Sequence, residues 1–397
     1  MNNQFTFYAH KPLEKYHKSD IGFLVSVVLL WGFGLFTLFV CSQNYAARFF
    51  GNDSFYFVKR QLVCSLAGFF LFGIFMILDM KTIKKLVMLM VIASVVLCIL
   101  TFIKPFSIEK NGARRWIRLP FNFTFQPSEV VKLTVVLYLA SYFDKQYELK
   151  EESQRDVLPC VGIFLLMVVL VLAQKDFSTS LFITIIGLLM FYVTGSKLKW
   201  FWPFLILSVP ILIIMITSEQ YRVERIIGYL NPNEGTSSFN YQVIASKSAV
   251  SAGGFWGQGI GRGLSKLDSI PEVQADYIFA GWAESMGFFG VVGYLLLLCF
   301  FAWRGYKTAF RCPSRFASYG SFGCVTVIFL QSIINCMIVC GVLPSTGIAL
   351  PFFSAGGSSV IIILGMCGFI LNASRCEEKE SDEIKYEEVN VDTLTVL

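Results

Sequence analysis

Three carboxylates stand together in "SIPEVQADYIFAGWAESMG", residues 269–287: Glu272, Asp276 and Glu284, set among Tyr277, Phe279 and Trp282 where a long apolar run begins. A carboxylate in such a place can take the proton of a hydroxyl nucleophile, provided a hydrogen bond or one water joins the two. Only two histidines exist, His10 and His17, both near the N-terminus, which excludes most histidine-based proton transfer and histidine-rich metal sites. Any acid–base chemistry therefore falls to carboxylates. If 271–287 is one helix, Glu272 and Asp276 lie one turn apart on one face, with Glu284 about 12 Å beyond Asp276 and rotated by roughly 80°. Asp276 would then sit at a membrane surface and Glu284 inside the membrane. Glu272 also reads as an acid favoured at a helix start by the helix dipole. Asp276 admits that plainer reading too, but its surroundings are rich in cations.

Those cations form the second group. "FQPSEVVKL" places Glu129 and Lys132 at i, i+3, on one face of a helix's first turn. The pair is either self-neutralised or an orienting pair under a substrate cavity, and composition does not decide between them. The stretch 104–127 carries five basic residues and one acid, with Arg114, Arg115 and Arg118 nearly adjacent. "YRVERIIGYLNP" adds Arg222 and Arg225, which read equally as snorkelling interfacial side chains. Guanidinium and ammonium groups around one carboxylate suit an anionic phosphate. No Walker or dinucleotide-binding fingerprint accompanies them.

The elements that must hold these groups are apolar helices. The chain has 397 residues, 55% hydrophobic and only 15% charged, against about 25% charged in soluble domains. Ten runs approach the ~20 apolar residues that span a bilayer: 21–42, 58–78, 84–103, 128–143, 158–173, 179–194, 200–217, 278–303, 317–340 and 356–373. Backbone polar groups have no partner in lipid, so these runs should be helices. The class is all-α: a polytopic membrane protein of about ten transmembrane helices with one large extracytoplasmic loop at 218–277. Within that loop, 239–250 suggests a short interfacial helix, and "GGFWGQGIGRG" is glycine-rich in the manner of functional loops. Placing the N-terminus inside puts 18 of the 33 Lys and Arg residues on cytoplasmic segments, so both termini are expected in the cytoplasm. Residues 1–20 form a cytoplasmic tail, 21–375 the membrane domain, and 376–397 a solvated acidic tail with eight acids against two lysines. Cys336 and Cys340 share a helix face, but without further ligands they read as packing residues. The scattered net charge of +6 gives no reason to expect nucleic acid. No internal repeat is visible, which disfavours transporters built from duplicated halves.

In order along the chain, "NGARRWI", "FQPSEVVKL", "YRVERIIGYLNP", "GQGIGRGLSKLDSIPEVQADYIFAGWAESMG" and "GVLPSTGIALPFFSAGGSS" resemble the motifs of the SEDS family of shape, elongation, division and sporulation proteins. The resemblance runs from about 21 to 375 and is closer to the family's division member than to its elongation member. It implies a peptidoglycan glycosyltransferase that polymerises lipid II outside the cytoplasmic membrane, at the septum for a division member. It also implies a class B penicillin-binding transpeptidase and other division proteins as partners, with lipid II and the nascent glycan strand as substrates. Asp276 matches the aspartate taken as the family's catalytic residue. Glu129 and Lys132 match the acid and base of its "QPSE-x-x-K" segment, and Arg114 or Arg115 the arginine of its "NGA-x-RW" loop. Two departures stand out. Gln274 and Ala275 replace the His-Thr often found before the aspartate, and "QKDFST" at 174–179 replaces "QPDLGT", putting Lys175 where a proline would fix a turn.

On this reading Asp276 deprotonates a sugar hydroxyl while Arg114, Arg115, Lys132 and Arg222 stabilise the departing pyrophosphate. Glu284 is a structural or relay acid beside the same substrate site. No cofactor is required with certainty; a divalent cation, Mg²⁺ or Mn²⁺, bridging Asp276 and pyrophosphate would have thin ligation from one acid. "LPSTGIALPFFSAGGSS" reads as an ordered outside loop or as a plain helix-breaking connector. Two other functions stay open: a lipid II flippase without glycosyltransferase chemistry, and a scaffold that recruits a synthase. Charges retained inside the membrane weigh against the scaffold.

Overall fold

The computed structural model describes residues 19–51, 53–110, 113–148, 157–194, 238–263 and 273–375, with Thr217, Val223 and Tyr229 as isolated positions. Apart from Thr217, the expected seventh span lies outside these residues, as do 1–18, 376–397, Arg222, Arg225, Lys266 and Glu272. The other nine expected spans are helices. They are α1 (Ile21–Phe49), α2 (Tyr56–Ile77), α3 (Met80–Leu100), α4 (Pro127–Glu148), α5 (Val157–Ala173) and α6 (Phe177–Val193), followed after α7 (Ser238–Ala252) by α8 (Ile278–Arg311), α9 (Arg315–Val339) and α10 (Gly357–Ala373). The short helix expected within the large loop is α7.

The helices outrun the apolar stretches that announce them. α8 has 34 residues, and the segment after its break at Gly287 rises about 36 Å at 1.5 Å per residue, against a hydrocarbon core of about 30 Å. Its last turn, at Arg311, therefore reaches beyond lipid. Asp20 starts α1 by accepting the Phe23 amide at 2.9 Å, and Pro127 opens α4, where its missing N–H costs nothing. Five described helices, α1, α2, α3, α8 and α9, are long and apolar enough to cross a membrane, and α5, α6 and α10 are apolar helices of 17 residues.

The chain sorts into a buried centre and a lipid-facing rim. α10 is enclosed along nearly its whole length, and α4 is buried without a break from Val131 through Ala140. α2 and α3 instead expose Leu66, Phe70, Met88, Leu89 and Ile92 outwards. Such apolar rows would drive association in water, and in a bilayer they face acyl chains. Helices pack without a hydrophobic driving force in lipid, so close approach and interhelical hydrogen bonds hold them. A Cβ on Gly368 would lie 2.3 Å from the Phe72 carbonyl oxygen, which shows how closely α10 meets α2. Asn372 Nδ2 of α10 then donates to the carbonyls of Phe75 and Leu78 at 2.8 and 2.7 Å, capping the end of α2. Ser94 of α3 and Thr134 of α4 share a hydrogen bond of 2.8 Å. The ten described cysteines are all free thiols, six of them buried, as packing residues would be.

The stretch 104–127 is more than a basic loop. It folds into a three-stranded antiparallel sheet, β1 (Ser107–Lys110), β2 (Ala113–Arg118) and β3 (Thr124–Phe125), in the order β1-β2-β3. Ala113 and Ile117, on one face of β2, are buried, while Arg114 and Arg118 point the other way. Strands of four, six and two residues, the longest of them half arginine, leave too faint an alternation to read from sequence.

Gly368→Val is expected to lower stability by about 1–3 kcal/mol, since its side chain meets backbone rather than a movable side chain. Gly73→Ala, at a position with nothing within 4 Å of the new Cβ, should be neutral or slightly stabilising. Thermal unfolding of both variants in detergent measures the contrast.

Candidate functional site

Two amides inside the apolar helix α9 organise the site. Gln331 and Asn335 lie one turn apart and are both fully buried. A buried amide must find partners or cost free energy, and these find theirs on three other segments. Gln331 Oε1 accepts from Lys132 Nζ of α4 at 2.8 Å, and its Nε2 donates to the Ala349 carbonyl at 2.9 Å. Asn335 Nδ2 donates to the Ile348 carbonyl at 2.7 Å and to the Asp276 carbonyl at 2.9 Å. One helix face thus fixes the loop between α9 and α10 and the backbone of Asp276.

Glu129 and Lys132 meet as the i, i+3 spacing predicts, with Lys132 Nζ 2.8 Å from Glu129 Oε2 and both side chains almost wholly buried. The pair is self-neutralised, and it also orients. Lys132 lies over the Phe182 ring and hands a hydrogen bond to Gln331. Breaking a buried pair by removing one partner leaves an uncompensated charge, so the arrangement is rigid.

Asp276 lies in a turn at 273–276 and not in a helix; α8 starts only at Ile278. The helix expected over 271–287 therefore does not include Asp276, and Glu272 lies outside the described residues. The turn is held by the Asn335 bond and by the Ala355 amide donating to the Gln274 carbonyl at 2.8 Å. Asp276 borders a recess of about 20 Å³, enough for one water, together with Gln242 of α7, Tyr277, Ile338, Ser345, Gly347 and Ile348. A Cβ on Gly347 would come within 3.4 Å of Asp276 Oδ2, so the loop backbone passes close to the carboxylate. "LPSTGIALPFFSAGGSS" is accordingly an ordered loop. Phe352 and Phe353 are buried, Phe353 edge-on to Tyr294 and Trp282, and Gln61 of α2 holds the Ser354 carbonyl at 3.1 Å.

Glu284 does not line the recess. It is completely buried in α8 beneath the glycine-rich loop, where a Cβ on Gly263 would fall 2.3 Å from its carboxyl carbon. Three residues on, the helix breaks. Gly287 has φ 62° and ψ −162°, which breaks the helical hydrogen-bond pattern. The carbonyls of Glu284 and Ser285 are taken instead by the amides of Gln258 and Gly259, at 2.9 and 3.2 Å. The Phe288 amide returns a bond to Gly254 at 2.8 Å.

The two arginines part company. Arg114 pairs with Glu109 across β1 and β2 at 3.1 Å, in the open. Arg115 turns inward, donating to the Lys175 carbonyl at 2.6 Å and lying 3.7 Å from Asp176. The buried Asp176 also accepts from Gln126 at 3.0 Å, Ser128 at 3.4 Å and Thr179 at 2.9 Å. It ties β2, the start of α4 and the start of α6 into one node, continuous through α4 with Glu129 and Lys132. Arg222 lies outside the described residues. Sequence reasoning passed over Asp176, Gln331 and Asn335. The signal for the last two was present: amides at i, i+4 within an apolar run need partners.

Lys175 corrects the reading of "QKDFST". Its φ is +61°, which a proline ring fixed near −65° cannot adopt. Lysine here is no loss of a proline turn; the chain turns differently.

Lys132→Met alone should cost about 3–5 kcal/mol by stranding Glu129, whereas Lys132→Met with Glu129→Gln should recover most of it; denaturant titration in detergent compares them. Lys175→Pro should be strongly destabilising by the same measurement, because it opposes φ +61° and removes the amide bond to Leu172.

Comparisons with known proteins agree with this architecture. Residues 22–379 match the cell cycle protein family of FtsW, RodA and SpoVE. The chain is 33% identical over 364 residues to the probable peptidoglycan glycosyltransferase FtsW of Geobacter sulfurreducens, covering 92% of this chain and 96% of that one. It is 34% identical to the protein of the same name from Borreliella burgdorferi, over 89% of this chain and 96% of the relative. It is 32% identical to stage V sporulation protein E of Bacillus subtilis, over 90% and 97%. Among solved structures it superposes on a chain of a peptidoglycan synthase complex, solved for the structural coordination of polymerization and crosslinking, with TM-score 0.72 and 26% identity, covering 92% of this chain and all of that one. The fold is also that of rod shape determining protein RodA from Thermus thermophilus, with TM-score 0.65 and 23% identity over 91% and 98% of the two chains. This multi-pass membrane protein belongs to the FtsW/RodA/SpoVE family.

Proposed function

We propose that the chain is a peptidoglycan glycosyltransferase that polymerises lipid II into glycan strands on the outer face of the cytoplasmic membrane, for septal wall synthesis in cell division. The observation that carries this reading is the Asp276 carboxylate at a recess, its backbone clamped by Asn335 and linked through the Gln331 face of α9 to the buried Glu129–Lys132 pair. Relatives covering most of the chain carry the glycosyltransferase name, which favours chemistry over transport alone.

In the proposed reaction, Asp276 accepts the proton of the 4-hydroxyl on the acceptor glucosamine. The hydroxyl oxygen forms a bond to the donor's anomeric carbon as the bond from that carbon to the lipid pyrophosphate breaks, and the pyrophosphate leaves with the electron pair. Inversion at that carbon fits a single base with no second carboxylate beside it among the described residues that line the recess. Holding the base before the reaction is what lets proton transfer contribute roughly 10²–10⁴-fold. Arg114 is the cation assigned to meet phosphate, because its exposed pair with Glu109 is weak and exchangeable. Arg115 and Lys132 are committed to buried partners and act as positioning residues. Glu284 holds the glycine-rich loop side of α8. Among the described residues no three acids, cysteines or histidines converge, so a divalent cation would rest on Asp276 and phosphate oxygens, and no step is routed through one.

The arrangement puts Asp276 at the beginning of α8 and both described chain ends, Asp20 and Ser374, near its far end. With Asp276 outside, this arrangement supports both termini in the cytoplasm. A class B penicillin-binding transpeptidase is the partner expected to crosslink the product, alongside other division proteins.

Purified fluorescent lipid II, supplied with the cognate transpeptidase, tests the reading. Wild type should polymerise it and Asp276→Asn should not, with thermal stability and transpeptidase binding unchanged. Near-normal polymer from the variant would sink the assignment of the base. Absence of polymer from both, with labelled lipid II crossing vesicles, would identify a flippase instead.

A further inference from the structure

At the end of the membrane domain opposite Asp276, a cavity of about 330 Å³ opens between the start of α1, the end of α8 and the end of α10. Three cations line it, Arg304, Lys307 and Arg311, against one carboxylate, Asp20. Asp20 is already engaged: it caps α1 through the Phe23 amide and takes the Arg304 guanidinium, with Nε at 3.0 Å. Lys307 lies 5.6 Å from the Trp303 ring, and among the described residues neither it nor Arg311 has a carboxylate partner. Thr308 and Ser19 add hydroxyls to the lining, and Ser374, whose hydroxyl donates to the Leu371 carbonyl at 2.7 Å, borders it as well. Excess positive charge beside hydroxyl donors is the chemistry of a phosphate site.

The surface leading to the cavity identifies what bears the phosphate. Along α8, Leu296, Phe300, Trp303, Lys307 and Arg311 follow at helical spacing on one face. The first three are exposed, at 66%, 38% and 57%, and the last two line the cavity. α1 repeats the pattern: Ile21 at the cavity is followed by Val25, Val28 and Leu29, all exposed. The two helices pack side by side, Phe23 on Phe301 with ring centroids 5.0 Å apart. Two apolar, lipid-facing stripes thus converge on a basic pocket at the depth where Trp303 marks a membrane interface. Free phosphate would need the pocket alone; an acyl chain beside it uses the stripes as well.

We propose that this cavity is a binding site for a phosphate-bearing anionic membrane lipid, its headgroup on Lys307 and Arg311 and its acyl chain along Leu296, Phe300 and Trp303. The site stands apart from the reaction at the other end of the molecule and does not depend on it. By the orientation given above, it takes its lipid from the cytoplasmic leaflet, where anionic headgroups attract basic groups.

The test is native mass spectrometry of the full-length protein released from mixed phosphatidylglycerol and phosphatidylcholine, counting retained lipid. Wild type should retain phosphatidylglycerol in preference to phosphatidylcholine, and Lys307→Gln with Arg311→Gln should reduce that preference about tenfold. Lys81→Gln with Lys85→Gln, which removes the same charge from the start of α3, should not. Arg311→Gln alone, at an exposed position, should show a smaller loss and covers the case in which the double variant fails to fold. Equal losses from both double variants, or unchanged retention in the cavity variants, would overturn the proposal. So would displacement of the lipid by millimolar inorganic phosphate. Retention that rises only when Glu377, Glu378 and Glu380 are changed to Gln would overturn it in favour of the chain's own acidic end as occupant.

Discussion

The ammonium of Lys132, buried between the Glu129 carboxylate and the Gln331 amide, is the constraint on which the site depends. Removing a lysine charge from water costs several kcal/mol unless its hydrogen bonds are replaced, so its partners are held wherever it is held. Glu129 shares its helix, and Gln331 belongs to α9. That single bond fixes the rotation of α9 relative to α4. Once α9 is fixed, Asn335 one turn on faces the Asp276 turn and the loop before α10, and no further adjustment is needed to clamp both.

A second constraint comes from the solvent. Carbonyls freed inside a membrane domain must be satisfied by protein. Gly287 frees two of them in α8, and the amides of the glycine-rich loop answer. This explains why a helix break, a run of glycines and the buried Glu284 occur together: the loop can approach α8 only where side chains are absent. The glycines serve backbone contact, and Glu284 is covered as a consequence. Asp176 plays the same kind of part at the other side of the bundle, collecting donors from β2, α4 and α6.

α8 also has different groups of polar residues at its two ends. Its beginning carries a carboxylate under backbone control beside Gly347. Its end carries a stripe that passes from apolar to basic over four turns. A helix longer than the hydrocarbon core places its two ends in different interfacial layers, so neither end's charge interferes with the other beyond a Debye length.

The nine described helices of the membrane domain, the short helix α7 and the Glu129–Lys132 pairing are legible in the sequence, because each rests on local rules: apolar run length, i, i+3 spacing and turn residues. The family is legible for the same reason, in ordered motifs. Four things are not. The sheet at 107–125 depends on pairing between strands too short to announce themselves. The turn at Asp276 depends on Asn335, which is 59 residues away. The inward course of Arg115 and the outward course of its neighbour Arg114 depend on Asp176. The cover of the glycine-rich loop over Glu284 depends on a helix break at Gly287. Residue type and spacing set which groups must find partners; which partners they find is decided only when distant segments close around them, since a buried polar group takes whatever complement the packing brings within 3 Å.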